Sequence, residues 1–244
     1  MLTAEQIQSF KDNAYLVLPG FVDPEQISRW GEQFWAHIGA DSQDASTWPD
    51  NYVIGDFAVD PRLSDLPQMQ SIVDQLGGGL FSGGGGSMLV QWPKPEGTPW
   101  QIPAHGHIDG YGPGGWSGGF MLAATTYLED VEAGGGSFVY WPKSHLGVHD
   151  FFQENPDQLD GSFVQRNDWD DRSWGLFCDR SPSGPVEFTA KAGDTILWHS
   201  FLCHTGSMNV GSRPRQAVFS RWNRFDREEM KYDTPANLWK YWAI

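Results

Sequence analysis

Between residues 88 and 223 the chain is broken into short β-prone runs, at 88–92, 105–109, 119–128, 136–141, 186–189, 194–199 and 215–223, with Gly- and Pro-bearing turns between them. This pattern restricts the fold more than any other feature. A parallel sheet needs a crossover helix after nearly every strand, and these runs leave no room for them. Turn-linked antiparallel strands suit a sandwich or jelly roll, so the expected class is mainly β, with the core at 86–225. One interruption stands out, at 150–185. It is acidic and aromatic (Asp168-Trp169-Asp170-Asp171, Trp174), and a connection of this length suggests a lid over a site.

The first 80 residues read as a helical N-terminal portion of the same single domain, 1–244. Thr3 and Gln6 form a capping box for a helix over 3–12. Tyr15-Leu16-Val17-Leu18 is a short strand closed by Pro19-Gly20. Asp23-Pro24 starts a second helix whose apolar stripe is Ile27, Trp30, Phe34 and Ile38. Residues 40–66 look like a polar surface excursion, and a third helix is expected around 67–76. The tract Gly83-Gly84-Gly85-Gly86 lacks the Lys-Ser/Thr of a phosphate cradle and reads as a flexible turn.

Sixteen Lys and Arg against 31 Asp and Glu give a net charge of −15. So acidic a chain has no basic face for nucleic acid and is disfavoured on anionic membranes. No signal peptide or membrane span is expected. With only Cys178 and Cys203 no disulfide framework is implied, which favours a reduced, cytoplasmic setting.

The chemistry concentrates in His107-Ile108-Asp109, His204 and Arg215. On a strand, residues 107 and 109 present their side chains on one face. Two imidazoles and one carboxylate hold non-haem Fe(II) from one side and leave the other side open. An arginine among Ala217, Val218 and Phe219, in a chain this acidic, requires an anionic partner; its fork pairs bidentately with a carboxylate. Arg213 shares its parity but precedes Pro214, nearer the turn. His105 opens a second possibility, a three-His site of 105, 107 and 204 with Asp109 behind it; otherwise His105 meets substrate or packs. A cupin-like protein that binds metal without turnover is the rival class. Trp116, Arg221 and, less so, Gln91 are candidate substrate contacts. Trp92, Trp116, Trp141 and Trp222 are candidates for an aromatic wall suited to an apolar or cationic small molecule. His145 and His149 read as structural or lid residues, and His199 as holding the turn before His204.

Several blocks, in order, resemble the phytanoyl-CoA dioxygenase family of Fe(II)/2-oxoglutarate-dependent oxygenases. They are the opening Tyr-Leu-Val-Leu-Pro-Gly-Phe-Val-Asp-Pro-Glu, the His107-Ile-Asp109 segment, Gly134-Gly-Gly-Ser-Phe-Val-Tyr-Trp-Pro-Lys-Ser-His145, and Gly193-Asp-Thr-Ile-Leu-Trp-His199 leading to His204. After His204 the family's Asn, Ser and Arg positions are filled by Asn209, Ser212 and Arg215. The resemblance implies a double-stranded β-helix, a cupin-like jelly roll with flanking α-helices. It implies His107, Asp109 and His204 as iron ligands, and Arg215, Thr125 and Ser212 toward 2-oxoglutarate, with O2 as the other co-substrate. It departs from the family at Gly135, Lys143 and Thr125, where Asn, Gly and Trp are common. The activity implied is hydroxylation of a small molecule with release of succinate and CO2. Related halogenases carry a small residue where this chain has Asp109.

Overall fold

The computed structural model describes residues 1–49, 55–109, 121–160 and 175–244. Six strands form the larger sheet, in the order β1 (Tyr15–Leu18), β7 (Thr195–His199), β4 (Leu122–Tyr127), β9 (Arg215–Arg224) and β2 (Phe81–Gly83), with β3 (Ser87–Gln91) also paired to β9. A smaller sheet runs β6 (Val186–Phe188), β5 (Phe138–Tyr140), β8 (His204–Gly206). All pairings are antiparallel. Among the described residues the two sheets face each other as a jelly roll without joining into a closed barrel.

Side-chain alternation divides the larger sheet into two faces. Leu16, Leu18, Met88, Leu122, Ala124, Leu197, Val218 and Trp222 point outward into a core shared with the N-terminal helices. Ala123, Tyr127, Ile196, Trp198 and Ala217 point inward, against Phe138, Tyr140 and Phe188 of the smaller sheet. The expected helices form for the expected reasons. Thr3 caps α1 (Ala4–Asn13) with a full capping box, and Asp23 accepts from the Gln26 N–H at 2.9 Å to start α2 (Pro24–Ile38). Trp30 and Phe34 of α2, with Met69 and Leu76 of α3 (Pro67–Gly77), are fully buried. On the outside of the smaller sheet, α4 (Ser144–Glu154) packs Val148, Phe151 and Phe152 against Val139, Phe177 and Phe201. Both flanks of the 150–185 interruption lie there. Residues 161–174, where a lid would have its tip, fall outside the described residues. Among the described residues no helix is long and apolar enough to cross a membrane.

Four readings change. Residues 105–109 are not a strand: His107 alone pairs, in an isolated bridge to His204. Pro103 has no N–H to donate to a ladder, which limits pairing on that side. Strands β2 and β8 are additional; each is three residues long, too short to show alternation. The glycine tract is not a loose turn. Gly83 belongs to β2, and the carbonyls of Gly85 and Gly86 accept from Ser64 and Val59 at 3.1 and 2.9 Å, tying the tract to the outer core. Finally, Cys178 and Cys203 are joined as a disulfide. Two cysteines 25 residues apart carry no recognisable pattern; the fold brings them together by laying the short helix Gly175–Cys178 against the residue before β8. The cysteine count therefore gives no ground for a reduced compartment.

Two stability predictions follow from buried groups. His145 and His199 are buried beside Trp239, and both stay neutral in the folded chain. Burial pushes His145 down to about 4, opposed in part by its bond to the Lys11 carbonyl, and pushes His199 well below the usual range. Unfolded histidines titrate near ~6.5, so above that pH the two groups do not affect stability. As pH falls toward 4 the unfolded chain takes up protons that the folded chain refuses. Urea unfolding at pH 5 should give a stability on the order of 3 kcal/mol below that at pH 7.5, a difference reduced in His145→Asn. The disulfide should contribute about 3 kcal/mol through loop closure. Cys178→Ala should lower the urea midpoint strongly without reductant and much less in a dithiol buffer.

Candidate metal and anion-binding site

The two histidines are placed by backbone. His107 N–H donates to the His204 carbonyl and His204 N–H donates to the His107 carbonyl, both at 2.8 Å. Directly opposed residues in such a reciprocal pair carry their side chains on the same face, and the imidazole centroids lie 4.6 Å apart. The close approach depends on Gly106: a Cβ there would sit 2.6 Å from the Trp141 ring and 2.7 Å from the His204 carbonyl oxygen. The Gly106 N–H donates to Cys178 Sγ at 3.1 Å, so the disulfide lies directly behind the histidine pair. His204 Nδ1 donates to the Leu202 carbonyl at 2.9 Å, which leaves Nε2 with its lone pair toward the site.

Asp109 completes the cluster. Its Oδ1 is 3.2 Å from His107 Nε2, and its Oδ2 is 3.7 Å from His204 Nε2 and 2.6 Å from Arg221 Nη2. One donor atom from each of His107, Asp109 and His204 lies within 4.8 Å of the others, a set able to hold a metal ion. Burial alone would raise the Asp109 carboxyl, but bonds to His107 and His204 and the charge of Arg221 hold it well below the usual carboxylate range. His105 is exposed and outside this cluster, so the three-His arrangement does not form. Trp198 packs on His204 at 4.2 Å between centroids, and Phe138 stacks on it at 5.2 Å. Neither ring was singled out in the sequence. Trp198 had a usable signal, since it alternates inward with Ile196 on β7.

Deeper between the sheets lies Arg215, 4% exposed. Its Nε donates to the Gly136 carbonyl at 2.6 Å, and its guanidinium lies 5.9 Å from the Tyr127 ring centre. No carboxylate among the described residues pairs with it. Desolvation lowers its pKa, and the nearby Tyr127 hydroxyl, itself pushed up to about 12 by burial, opposes this. Arg213 is excluded as the anion partner, because it forks onto Glu129 at the surface with bonds of 3.0 and 3.1 Å. Gln91 faces Arg215 across the β3–β9 ladder. Gly206 keeps the space between them open: a Cβ there would lie 3.2 Å from Gln91 Nε2 and 3.9 Å from Arg215 Nη2.

The remaining candidates divide. Thr125 is on the inner face, but opposite Phe219 rather than Arg215, and it accepts from Trp198 Nε1 at 3.3 Å. Ser212 is not brought inside with Arg215; it is exposed on the β8–β9 turn. Asn209 holds that turn, donating to the carbonyls of Gln91 and Arg213 at 2.8 and 2.7 Å. Arg221 meets Asp109. Trp116 lies outside the described residues. Of the other residues expected in an aromatic wall, Trp92 and Trp222 belong to the outer core, and Trp141 packs behind Gly106. The part-exposed residues on the inner face of β3 and β9 are Ser87, Leu89, Gln91, Phe219 and Arg221 instead.

The sequence model of the family described as phytanoyl-CoA dioxygenase (PhyH) matches residues 10–217. No curated protein matches the chain. Among solved structures, the non-heme alpha-ketoglutarate-dependent epimerase SnoN from nogalamycin biosynthesis is similar at TM-score 0.60 and 19% identity, covering 90% of this chain and 81% of its own. EctD from S. alaskensis, with 2-oxoglutarate and 5-hydroxyectoine, is similar at TM-score 0.60 and 16% identity, covering 92% and 77%. HygX from Streptomyces hygroscopicus, with nickel and 2-oxoglutarate bound, is similar at TM-score 0.57 and 16% identity, covering 92% and 88%. At these identities the likeness establishes the shared fold.

The histidine pair yields a direct test. Gly106→Ala drives a methyl into backbone and a buried ring, so the pair must separate. We expect Co(II) affinity to fall at least about 10-fold and stability to drop by about 1–3 kcal/mol. Gly184→Ala, where an added methyl meets nothing within 4 Å, should leave both unchanged in calorimetric titration and urea unfolding.

Proposed function

The chain belongs to the phytanoyl-CoA dioxygenase family, and on that premise we propose that it is an Fe(II)- and 2-oxoglutarate-dependent oxygenase that hydroxylates a small molecule. His107, Asp109 and His204 are the residues that would hold iron, and Arg215 is the partner of the distal carboxylate of 2-oxoglutarate. Iron and 2-oxoglutarate, when bound, supply the O2-dependent oxidation of a C–H bond coupled to release of succinate and CO2.

The observation that carries this reading is the buried, carboxylate-free guanidinium of Arg215. Burying an uncompensated charge costs several kcal/mol. A protein that only stored a metal would have no use for that cost. A site that takes up a dianionic co-substrate at every turnover does. The protein's own contributions are positional. The Leu202 carbonyl fixes the proton on His204 Nδ1 and so frees Nε2. Trp198 and Phe138 exclude water from one side of that ring. Leu89, Gln91 and Phe219 are part-exposed on the inner face and are available to a substrate. Asp109 fills the third ligand position with a carboxylate, so no corner is left for a halide, which favours hydroxylation over halogenation.

Anaerobic titration with Fe(II) and 2-oxoglutarate should produce the visible charge-transfer band of the chelate. Arg215→Ala should bind 2-oxoglutarate at least about 30-fold more weakly, the loss of one partner of a buried charge pair. Asp109→Ala should abolish substrate-dependent succinate release. A metal-binding chain that never develops the band, or an Arg215→Ala variant with unchanged 2-oxoglutarate affinity, would return the reading to metal binding without turnover.

A further inference from the structure

Among the described residues, no main-chain hydrogen bond holds Asp109. His107 is bonded to His204, Ile108 is buried against the smaller sheet's outer core, and the bridge ends there. The orientation of the carboxylate is set by side chains. Each oxygen faces one imidazole: Oδ1 lies 3.2 Å from His107 Nε2, and Oδ2 lies 3.7 Å from His204 Nε2 while it receives Arg221 Nη2 at 2.6 Å. Arg221 comes from β9, the longest strand, which is paired to β4 at this level through Ala123. Its guanidinium carbon sits 5.2 Å from the Phe219 ring centre, a cation–π contact that limits where the fork can point.

We propose that Arg221 is the positioning residue of the metal site: it holds Oδ2 of Asp109 and so keeps the carboxylate turned toward the two imidazoles. This rests on the oxygenase reading of the same site. A carboxylate free to rotate can turn its oxygens away from the imidazoles, and the cluster then loses its third donor. The clamp prevents this, because the second oxygen already accepts a short, charge-assisted bond. The exposures of the two partners favour the arrangement. The Asp109 side chain is 20% exposed and keeps its charge through its partners, while Arg221, at 46%, retains much of its hydration. Arg215 and Arg221 of β9 then act on carboxylates from one face of one strand, Arg215 on that of the co-substrate and Arg221, six residues further on, on that of the protein.

The sequence reading had Arg221 touching substrate, and the two roles separate cleanly by experiment. Metal-stripped chain is titrated with Co(II) alone, without 2-oxoglutarate or substrate, following the ligand-field absorption. Arg221→Ala and Arg221→Gln should bind Co(II) about 10- to 100-fold more weakly than the unmodified chain, the usual effect of losing the partner of a ligand. Arg221→Lys should recover part of the loss, because a point charge can hold one oxygen without the fork. Arg213→Ala, which removes a surface pair with Glu129, should bind as the unmodified chain does. Metal-free thermal midpoints should be alike across the set. Unchanged Co(II) affinity in Arg221→Ala, with or without a raised substrate KM, overturns the proposal. So does an affinity loss matched by an equal loss of metal-free stability. An unmodified chain that binds no Co(II) overturns the oxygenase reading as well.

Discussion

Two reciprocal backbone hydrogen bonds, between residues 107 and 204, organise the site. They join a segment with no ladder of its own to the edge of the smaller sheet, and they do so at the two histidines themselves. The imidazoles are neighbours because main-chain geometry makes them so, with no need for a side chain to hold them. What surrounds the pair protects it: a residue without Cβ at 106, the Trp141 ring behind, and the Trp198 and Phe138 rings alongside His204.

The second organising constraint is electrostatic. In a chain with 31 acidic and 16 basic residues, a cation can be left without a carboxylate only where the fold keeps carboxylates out. The interior does so around Arg215, whose donors face carbonyl groups and the Tyr127 ring. Among the described residues, Asp109 is an acidic group that enters this interior, and it is met by two imidazoles and Arg221. Arg215, by contrast, has no carboxylate partner among the described residues.

Much of this was legible in the residues. Long or strongly alternating runs such as Arg215–Arg224 and Thr195–His199 declared themselves through periodicity, and the caps Thr3 and Asp23 through residue type. The family resemblance singled out Asn209 and Arg215, and the structure places Asn209 on the β8–β9 turn and Arg215 between the sheets. The misses share a cause: they depend on contacts between distant segments. Nothing local distinguishes Phe81–Gly83 from a turn, and Ser212 and Arg215 look alike in spacing until Asn209 folds the turn outward. The Trp residues were ambiguous because a strand has two apolar faces here. Trp222 and Trp198 are each buried, on opposite sides of one sheet.

The bond between Cys178 and Cys203 has a consequence for handling the protein. One sulfur belongs to the residue preceding His204, and the other accepts from the amide preceding His107. Thiol exposure is thus a structural variable in its own right. Two preparations of identical sequence but different redox history present the same imidazoles on differently braced main chain, and ought to be compared only after their free sulfhydryls have been counted.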